Sequence, residues 1–143
     1  MPILTRWYIR TSFLYLLASL LVGVAIATRS QLGLPAVFGA LGPVYFHLFL
    51  VGWITQLIFG VTFWLFPKQK DEALNWERTG WLAWFALNSG LLLRTLAEPL
   101  TVFNPGSIWG WGLVLSAFLQ WLAGMGLILI VWPRVYTRDR TRR

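Results

Sequence analysis

The chain has 143 residues, of which 57% are hydrophobic, 17% aromatic and only 12% charged, and its mean hydropathy is +0.64. An average soluble domain carries about a quarter charged residues, so this composition excludes an ordinary soluble protein and predicts one integral membrane domain over residues 1–143. The chain has no cysteine, which excludes disulfides, iron-sulfur clusters and covalent c-type haem attachment.

Four apolar segments approach the length of about 20 residues that a membrane-spanning helix needs. They cover residues 11–27, 44–66, 81–96 and 108–132. Each must be helical, because lipid offers backbone amides no partner and four strands cannot close a barrel. The predicted fold is therefore an all-α, integral membrane four-helix bundle.

Local signals delimit these helices. Pro43 stands where a first-turn proline costs no hydrogen bond, and Pro67 and Pro133 are expected to follow helix ends. Ser107 is a candidate N-cap for the fourth helix.

The basic residues predict the orientation. The chain has a net charge of +7 and a pI near 10.9, and most of its basic residues fall before the first helix, between the second and third, and after the fourth. These are Arg6, Arg10, Lys68, Lys70, Arg78, Arg134, Arg138, Arg140, Arg142 and Arg143. The positive-inside rule then places both termini in the cytoplasm of a multi-pass protein of the inner (plasma) membrane. Binding of nucleic acid is not expected, because no soluble fold presents this charge; anionic lipid is its expected partner.

His47 is the only histidine, and it lies near the outer end of the second predicted helix. Ionisable groups inside a membrane are functional candidates by default. One imidazole without cysteine or a carboxylate cluster cannot complete a zinc, copper or di-iron site. Haem needs only one or two axial ligands from protein. A structural histidine bonded to a backbone carbonyl explains the residue equally well.

Other polar and aromatic positions allow two interpretations each. Arg94, like His47, lies in the outer third of the predicted membrane span, four residues before Glu98, so it either pairs with Glu98 or binds an anionic group such as a haem propionate. Trp53 and Trp121 fall in the middle of their helices, where an indole N–H needs either a packing partner or a cofactor.

The second helix has two predicted faces at α-helical spacing. Val51, Ile54 and Ile58 share the His47 side, where they would line a flat apolar ligand. Gly52, Gln56 and Gly60 gather on the opposite side, which predicts close packing against another helix with Gln56 as the hydrogen-bond donor.

A family resemblance adds to this interpretation. The run H-L-F-L-V-G-W-I-T-Q-L-I-F-G from His47, followed by W-L-F-P at residues 64–67, resembles the second helix of the haem-copper oxidase subunit I superfamily, especially its cbb3-type and nitric-oxide-reductase-like branches. The run from Arg10 to Leu17 and the L-V-G at residues 21–23 resemble that family's first helix. The resemblance covers about the first half of the chain and implies that His47 is an axial ligand of a low-spin haem b.

The chain departs from that family in its second half. It has none of the later histidines that bind copper and the further haem sites, so oxidase activity of this chain alone is not expected. We expect instead a b-type haem protein for electron transport, with a second ligand from a symmetry mate in a homodimer or from a larger respiratory complex. The alternatives are a cofactor-free structural or assembly subunit of such a complex, and a quinone-binding subunit.

Overall fold

The computed structural model describes residues 1–66, 75–104, 106 and 108–136, and within them every regular element is helical. Helix α1 covers Ile3–Ala27, the second long helix, α2, covers Ala36–Leu65, α3 covers Trp76–Phe103 and α4 covers Trp109–Tyr136. The all-α prediction is confirmed for this part of the chain. Eight of the residues that predicted the orientation and the helix ends lie outside the described residues: Pro67, Lys68, Lys70, Ser107, Arg138, Arg140, Arg142 and Arg143.

Helix α2 is not a uniform α-helix. It opens with a 3₁₀ segment, Ala36–Leu41, continues as an α-helical turn, Gly42–Phe46, becomes a π-helix over His47–Thr55, and ends as an α-helix, Gln56–Leu65. Pro43 is in the first turn of the α-helical part, as expected. The 3₁₀ segment contacts α1 and α3, so the connector between α1 and α2 packs on the bundle.

Two helices run past the boundaries that hydropathy predicts. Helix α3 begins five residues earlier and ends seven residues later than residues 81–96, and Asn75 caps its start by accepting a hydrogen bond from the Arg78 amide at 3.2 Å. Pro133 was expected to follow the end of the fourth helix and instead lies inside α4. That expectation was wrong, since a proline ring removes one hydrogen bond without always ending a helix.

Three of the helices, α1, α2 and α4, are long and apolar enough to cross a membrane. Helix α3 is long enough but more polar, because it carries Asn88, Arg94 and Glu98. The surface of the described helices is rich in exposed leucine, phenylalanine and tryptophan, whereas serine, threonine, glutamine and asparagine occur among the buried residues. This inverted distribution is typical of proteins whose surroundings are lipid.

Helices α1 and α2 form one antiparallel pair, and α3 and α4 form another. Helix α4 packs mainly against α3, which also contacts α1 and α2. The core has two clusters. One joins both pairs and contains Leu4, Tyr8, Phe59, Phe63, Trp76 and Ile130. The other contains Ala83, Leu87, Leu91 and Ala123 of α3 and α4, and Tyr15 of α1 and Val51 of α2 pack against it.

Candidate functional site

His47 is held by its own helix through one ring nitrogen. Its Nδ1 lies 2.9 Å from the carbonyl oxygen of Pro43, one turn earlier. A carbonyl oxygen only accepts, so Nδ1 carries the proton and donates it. The lone pair of the neutral ring is therefore on Nε2, and within the described part of the chain Nε2 has no hydrogen-bond partner. Metal-bound histidines use the same arrangement, with the second nitrogen anchored on a carbonyl.

The π-helix begins at His47 itself and ends at Thr55. Thr55 Oγ1 donates to the carbonyl oxygen of Leu50, five residues earlier, at 2.9 Å. Bonding from i to i+5 widens the turn, and such segments occur often at functional sites. Each residue of this segment turns through less than the 100° of an α-helix, so α-helical spacing does not assign every face of the segment correctly.

The three aliphatic residues that were predicted to share the His47 side of α2 have different surroundings. Val51 packs against the cluster formed by Ala83, Leu87, Leu91 and Ala123 of α3 and α4. Ile54 is partly buried, and Ile58 is 55% exposed. Of these three aliphatic residues, Val51 thus points to neighbouring helices and Ile58 to the surroundings of the protein.

Aromatic rings lie on both sides of His47 along α2. The rings of Tyr45 and Phe49 are stacked with centroids 5.9 Å apart, and Phe49 meets Trp53 edge to face at 4.8 Å. Trp53 Nε1 is buried and has no hydrogen-bond partner among the described residues. An unpaired buried indole N–H is costly. The position of Trp53 therefore agrees both with helix packing and with contact to a cofactor, the two interpretations that its sequence position allowed.

Arg94 and Glu98 form an ion pair on α3. Arg94 Nε donates to Glu98 Oε1 at 2.9 Å, and the side chains are 22% and 9% exposed. Glu98 Oε2 is buried without a partner in the described residues, and the terminal guanidinium nitrogens of Arg94 make no hydrogen bond there. The ion pair between Arg94 and Glu98 is therefore present. It is one of the two interpretations of Arg94 that the sequence allowed.

Counting residues along the antiparallel helices α2 and α3 indicates similar heights for His47 and Arg94. The rings of Phe63 and Trp76 are 5.5 Å apart at the opposite end of the two helices, and Phe63 also contacts Gly80. His47 lies sixteen residues before Phe63 on α2. Counting sixteen residues forward along α3 from Trp76 and from Gly80 leads to residues 92 and 96. Arg94 lies between them, although no hydrogen bond joins it to His47 within the described chain.

The described residues contain no group of three histidine, cysteine, aspartate or glutamate side chains that could hold a metal ion. Two open depressions occur elsewhere on the surface. One of about 300 Å³ is lined by Thr101, Gly106, Gly110, Trp111 and Val114, and one of about 490 Å³ by Ile26, Arg29, Ser30, Gly33 and Leu34. His47 lines neither of them and is itself partly exposed on the side of α2.

A polar junction that sequence analysis missed joins three helices at Thr11. Its hydroxyl donates to the Trp7 carbonyl oxygen at 2.7 Å and accepts from Gln56 Nε2 and, at 3.3 Å, from Trp84 Nε1. The prediction that Gln56 donates to another helix is confirmed. A signal existed on α1, where the buried residues Thr5, Ser12 and Ser19 recur every seven positions, the spacing of a helix contact.

Comparison of the chain with protein-family models, curated proteins and solved structures gives no match. Its function is therefore inferred from its own residues and their geometry.

Proposed function

We propose that this protein is a membrane-embedded haem b protein in which His47 Nε2 is an axial ligand of the iron. The observation that carries the proposal is the hydrogen bond from Nδ1 to the Pro43 carbonyl oxygen. It consumes the one proton of the neutral imidazole and leaves a lone pair on Nε2, on a partly exposed ring at the start of a π-helix.

Haem is the metal group that these residues fit. The described chain has one imidazole and no cluster of further metal-binding side chains. A porphyrin itself supplies the four equatorial ligands of its iron, so the protein needs to add only one or two ligands. When bound, haem supplies one-electron redox chemistry. The chain contributes the His47 ligand, the orientation that Pro43 fixes, and aromatic side chains such as Trp53 on the same helix.

His47 is partly exposed on the side of α2, and this affects where a second haem ligand would come from. A haem held by His47 would lie at the surface of the helix assembly, so a second ligand would come from another chain. A second copy in a homodimer and a larger respiratory subunit are both possible sources. We propose electron transfer in the plasma membrane as the role, with both termini in the cytoplasm.

Arg94 supports haem binding in this proposal. Its Nε is taken by Glu98, but the other two guanidinium nitrogens retain their N–H groups for an anionic group at the level of His47. A propionate is the haem group with this chemistry, and guanidinium binds carboxylate with two parallel hydrogen bonds.

A cofactor-free structural or assembly subunit is the second candidate. The observation that favours it is the same ion pair, because Glu98 neutralises Arg94 without any ligand. A quinone-binding subunit is a third, since the terminal guanidinium N–H groups of Arg94 can donate to a quinone carbonyl and His47 Nε2 can accept from a quinol hydroxyl.

Absorption spectra of the protein purified in detergent from haem-replete cells distinguish these candidates. We expect a Soret band and, after dithionite reduction, sharp α and β bands of a low-spin haem b. His47→Gly should lose them, and added imidazole should restore them by replacing the missing ring. Thr62→Val, which removes only a hydroxyl bonded within its own helix, is the matched control. A colourless wild-type protein contradicts the haem proposal, and quinone extracted from that protein would support the third candidate.

A further inference from the structure

Arg29 carries a positive charge that no carboxylate of the described chain neutralises. It lies in the connector between α1 and α2, at the opposite end of α1 from Arg6 and Arg10. The first 70 residues contain no aspartate or glutamate, and Glu98 of α3 forms its ion pair with Arg94. The Arg29 guanidinium makes no hydrogen bond or ion pair within the described residues. Its counter-charge therefore has to come from outside this part of the chain.

The guanidinium group of Arg29 packs on Gly39 in the 3₁₀ segment of α2. A Cβ at residue 39 would stand 3.0 Å from Arg29 Cζ and still closer to Nη1, so only a glycine leaves room for the guanidinium in this position. The Arg29 side chain is partly buried. The charge is thus positioned against the connector, whereas a freely extended arginine would leave it mobile in the surroundings.

The depression of about 490 Å³ beside Arg29 adds backbone donors to this charge. The backbone N–H groups of Ser30, Gln31 and Gly33 make no hydrogen bond among the described residues. Gly33 has a φ of +61°, and turns that contain such a left-handed residue form concave groups of N–H donors that bind anions. The Ser30 hydroxyl is not one of the available donors, because it donates to Gln31 Oε1 at 2.9 Å. The depression therefore suits an anionic group with several oxygen acceptors.

The remaining lining of the depression is apolar. It consists of Ile26, in the last turn of α1, and Leu34 of the connector. Helix α1 is long and apolar enough to cross a membrane, so its last turn before the connector reaches the boundary between acyl chains and headgroups. Phospholipid phosphates lie at this boundary. A ligand with a phosphate group and acyl chains therefore matches both parts of the lining, whereas a free anion would use only the polar part.

We propose that this depression binds one anionic phospholipid through its phosphate group. The Arg29 guanidinium donates two parallel hydrogen bonds to phosphate oxygens, the amides around Gly33 donate to the same group, and the acyl chains run past Ile26 along α1. A headgroup without an ammonium group is preferred, because no carboxylate of α1, the connector or α2 is present to bind one. The inference requires α1 and α2 to cross the membrane, but it depends neither on their orientation nor on haem.

Quenching of one fluorescent label tests the lipid preference. The natural chain has no cysteine, so Leu32→Cys, at a 67% exposed position beside the depression, carries the label. The full-length protein is reconstituted in phosphatidylcholine vesicles containing a small fraction of either phosphatidylglycerol or phosphatidylcholine with a nitroxide in its acyl chain. We expect about fivefold stronger association of phosphatidylglycerol, the factor that one basic residue supplies for anionic lipid. Equal quenching by the two nitroxide lipids overturns the proposal.

Four variants separate a defined site from general attraction of lipid by charge, each measured as the ratio of the two lipids in the same protein. Arg29→Gln should bring this ratio to about one, and Arg10→Gln, which removes an equal charge at an exposed position of the same helix, should leave it unchanged. Gly39→Ala keeps the charge but displaces the guanidinium, so the ratio should fall by about twofold or more. Gly42→Ala, whose methyl group meets nothing within 4 Å, is its control. A ratio that survives Gly39→Ala overturns the role given to the position of the guanidinium.

Inorganic phosphate distinguishes a lipid site from a site for a free anion. Added in excess at constant ionic strength, it should leave quenching by nitroxide phosphatidylglycerol unchanged, because it has no acyl chain to contact Ile26 and Leu34. Loss of quenching on addition of phosphate, with no loss on addition of chloride, would show that the depression takes a free anion and would overturn the assignment to phospholipid.

Discussion

The hydroxyl of Thr11 uses its whole hydrogen-bonding capacity at the centre of three helices. A hydroxyl has one donor and two acceptor sites, and here the Trp7 carbonyl, the Gln56 amide and the Trp84 indole occupy them. Tyr8 provides a second link of the same kind, because its buried hydroxyl donates to the Gly80 carbonyl oxygen of α3 at 3.0 Å. Single polar atoms of α1 thus connect it to α2 and α3.

Replacing Thr11 with valine keeps the shape of the side chain and removes both acceptor sites. Gln56 Nε2 and Trp84 Nε1 then lose their acceptor, and we expect the free energy of unfolding to fall by about 1–2 kcal/mol. Unfolding in mixed detergent, followed by tryptophan fluorescence, measures it. The control is Thr62→Val, whose hydroxyl bonds only to the Ile58 carbonyl of its own helix; an equal effect of the two variants would contradict the role given to Thr11.

The Arg94–Glu98 pair is predicted to behave as one unit. Glu98→Gln leaves a partly buried guanidinium without its counter-charge, and Arg94→Gln leaves the carboxylate alone, so each single variant should lose about 2 kcal/mol or more of stability. The double variant should be more stable than the sum of the two losses predicts. A double-mutant cycle on thermal unfolding in detergent gives the coupling, and additive losses would show that the ion pair contributes nothing.

At the scale of helices, the seam between α1 and α2 determines where His47 stands. Gly52 and Gly60 allow Tyr15 and Tyr8 of α1 to approach the backbone of α2, and Gly23 of α1 does the same for Tyr45. These contacts continue past the junction of the π-helix and the α-helix at Gln56. The widened π-helical turn is therefore fixed against α1 on one side while its other side presents His47.

Gly52→Ala tests this close approach. A Cβ at residue 52 would stand 2.7 Å from Tyr15 Cγ and 2.8 Å from its Cβ, which no rotation of the tyrosine ring relieves. We expect a loss of about 1–3 kcal/mol in thermal unfolding and, if haem binds at His47, a weaker Soret band. Gly42→Ala is the matched control because nothing lies within 4 Å of its added methyl group. Similar stability of both variants would contradict the packing of Tyr15 on Gly52.

At the scale of the whole molecule, the number of membrane crossings depends on α3. Helix α3 is polar for a spanning helix, but its Arg94 is paired with Glu98 and its Asn88 is bonded to the Trp84 carbonyl oxygen at 2.7 Å. Helix α3 also packs along α4, which is an apolar helix. These contacts favour insertion of α3 together with α4 as a hairpin.

We predict that α3 spans the membrane and that both termini lie in the cytoplasm. Alkaline phosphatase and green fluorescent protein fused in turn to each end report the side, because the first is active outside the cytoplasm and the second inside it. Fluorescent and phosphatase-inactive fusions at both ends are expected. Termini on opposite sides would mean three crossings and would contradict the spanning of α3.

Composition and periodicity alone determined much of this protein. They predicted helices throughout, the packing stripe of Gly52, Gln56 and Gly60, and the possible pairing of Arg94 with Glu98, because all of these follow from hydropathy and from neighbours three or four residues apart in one helix. Membrane insertion, orientation and haem binding remain predictions.

Only the tertiary structure decided how the helices are combined. The meeting of Thr11 with Gln56 and Trp84 and the packing of Val51 on α3 and α4 depend on contacts between segments distant in sequence, and the π-helix from His47 to Thr55 appears only in the folded chain. A periodicity shows which residues of a helix share a face, but it does not show which neighbour covers that face or where the turn widens. Those choices follow from the close packing of all four helices together.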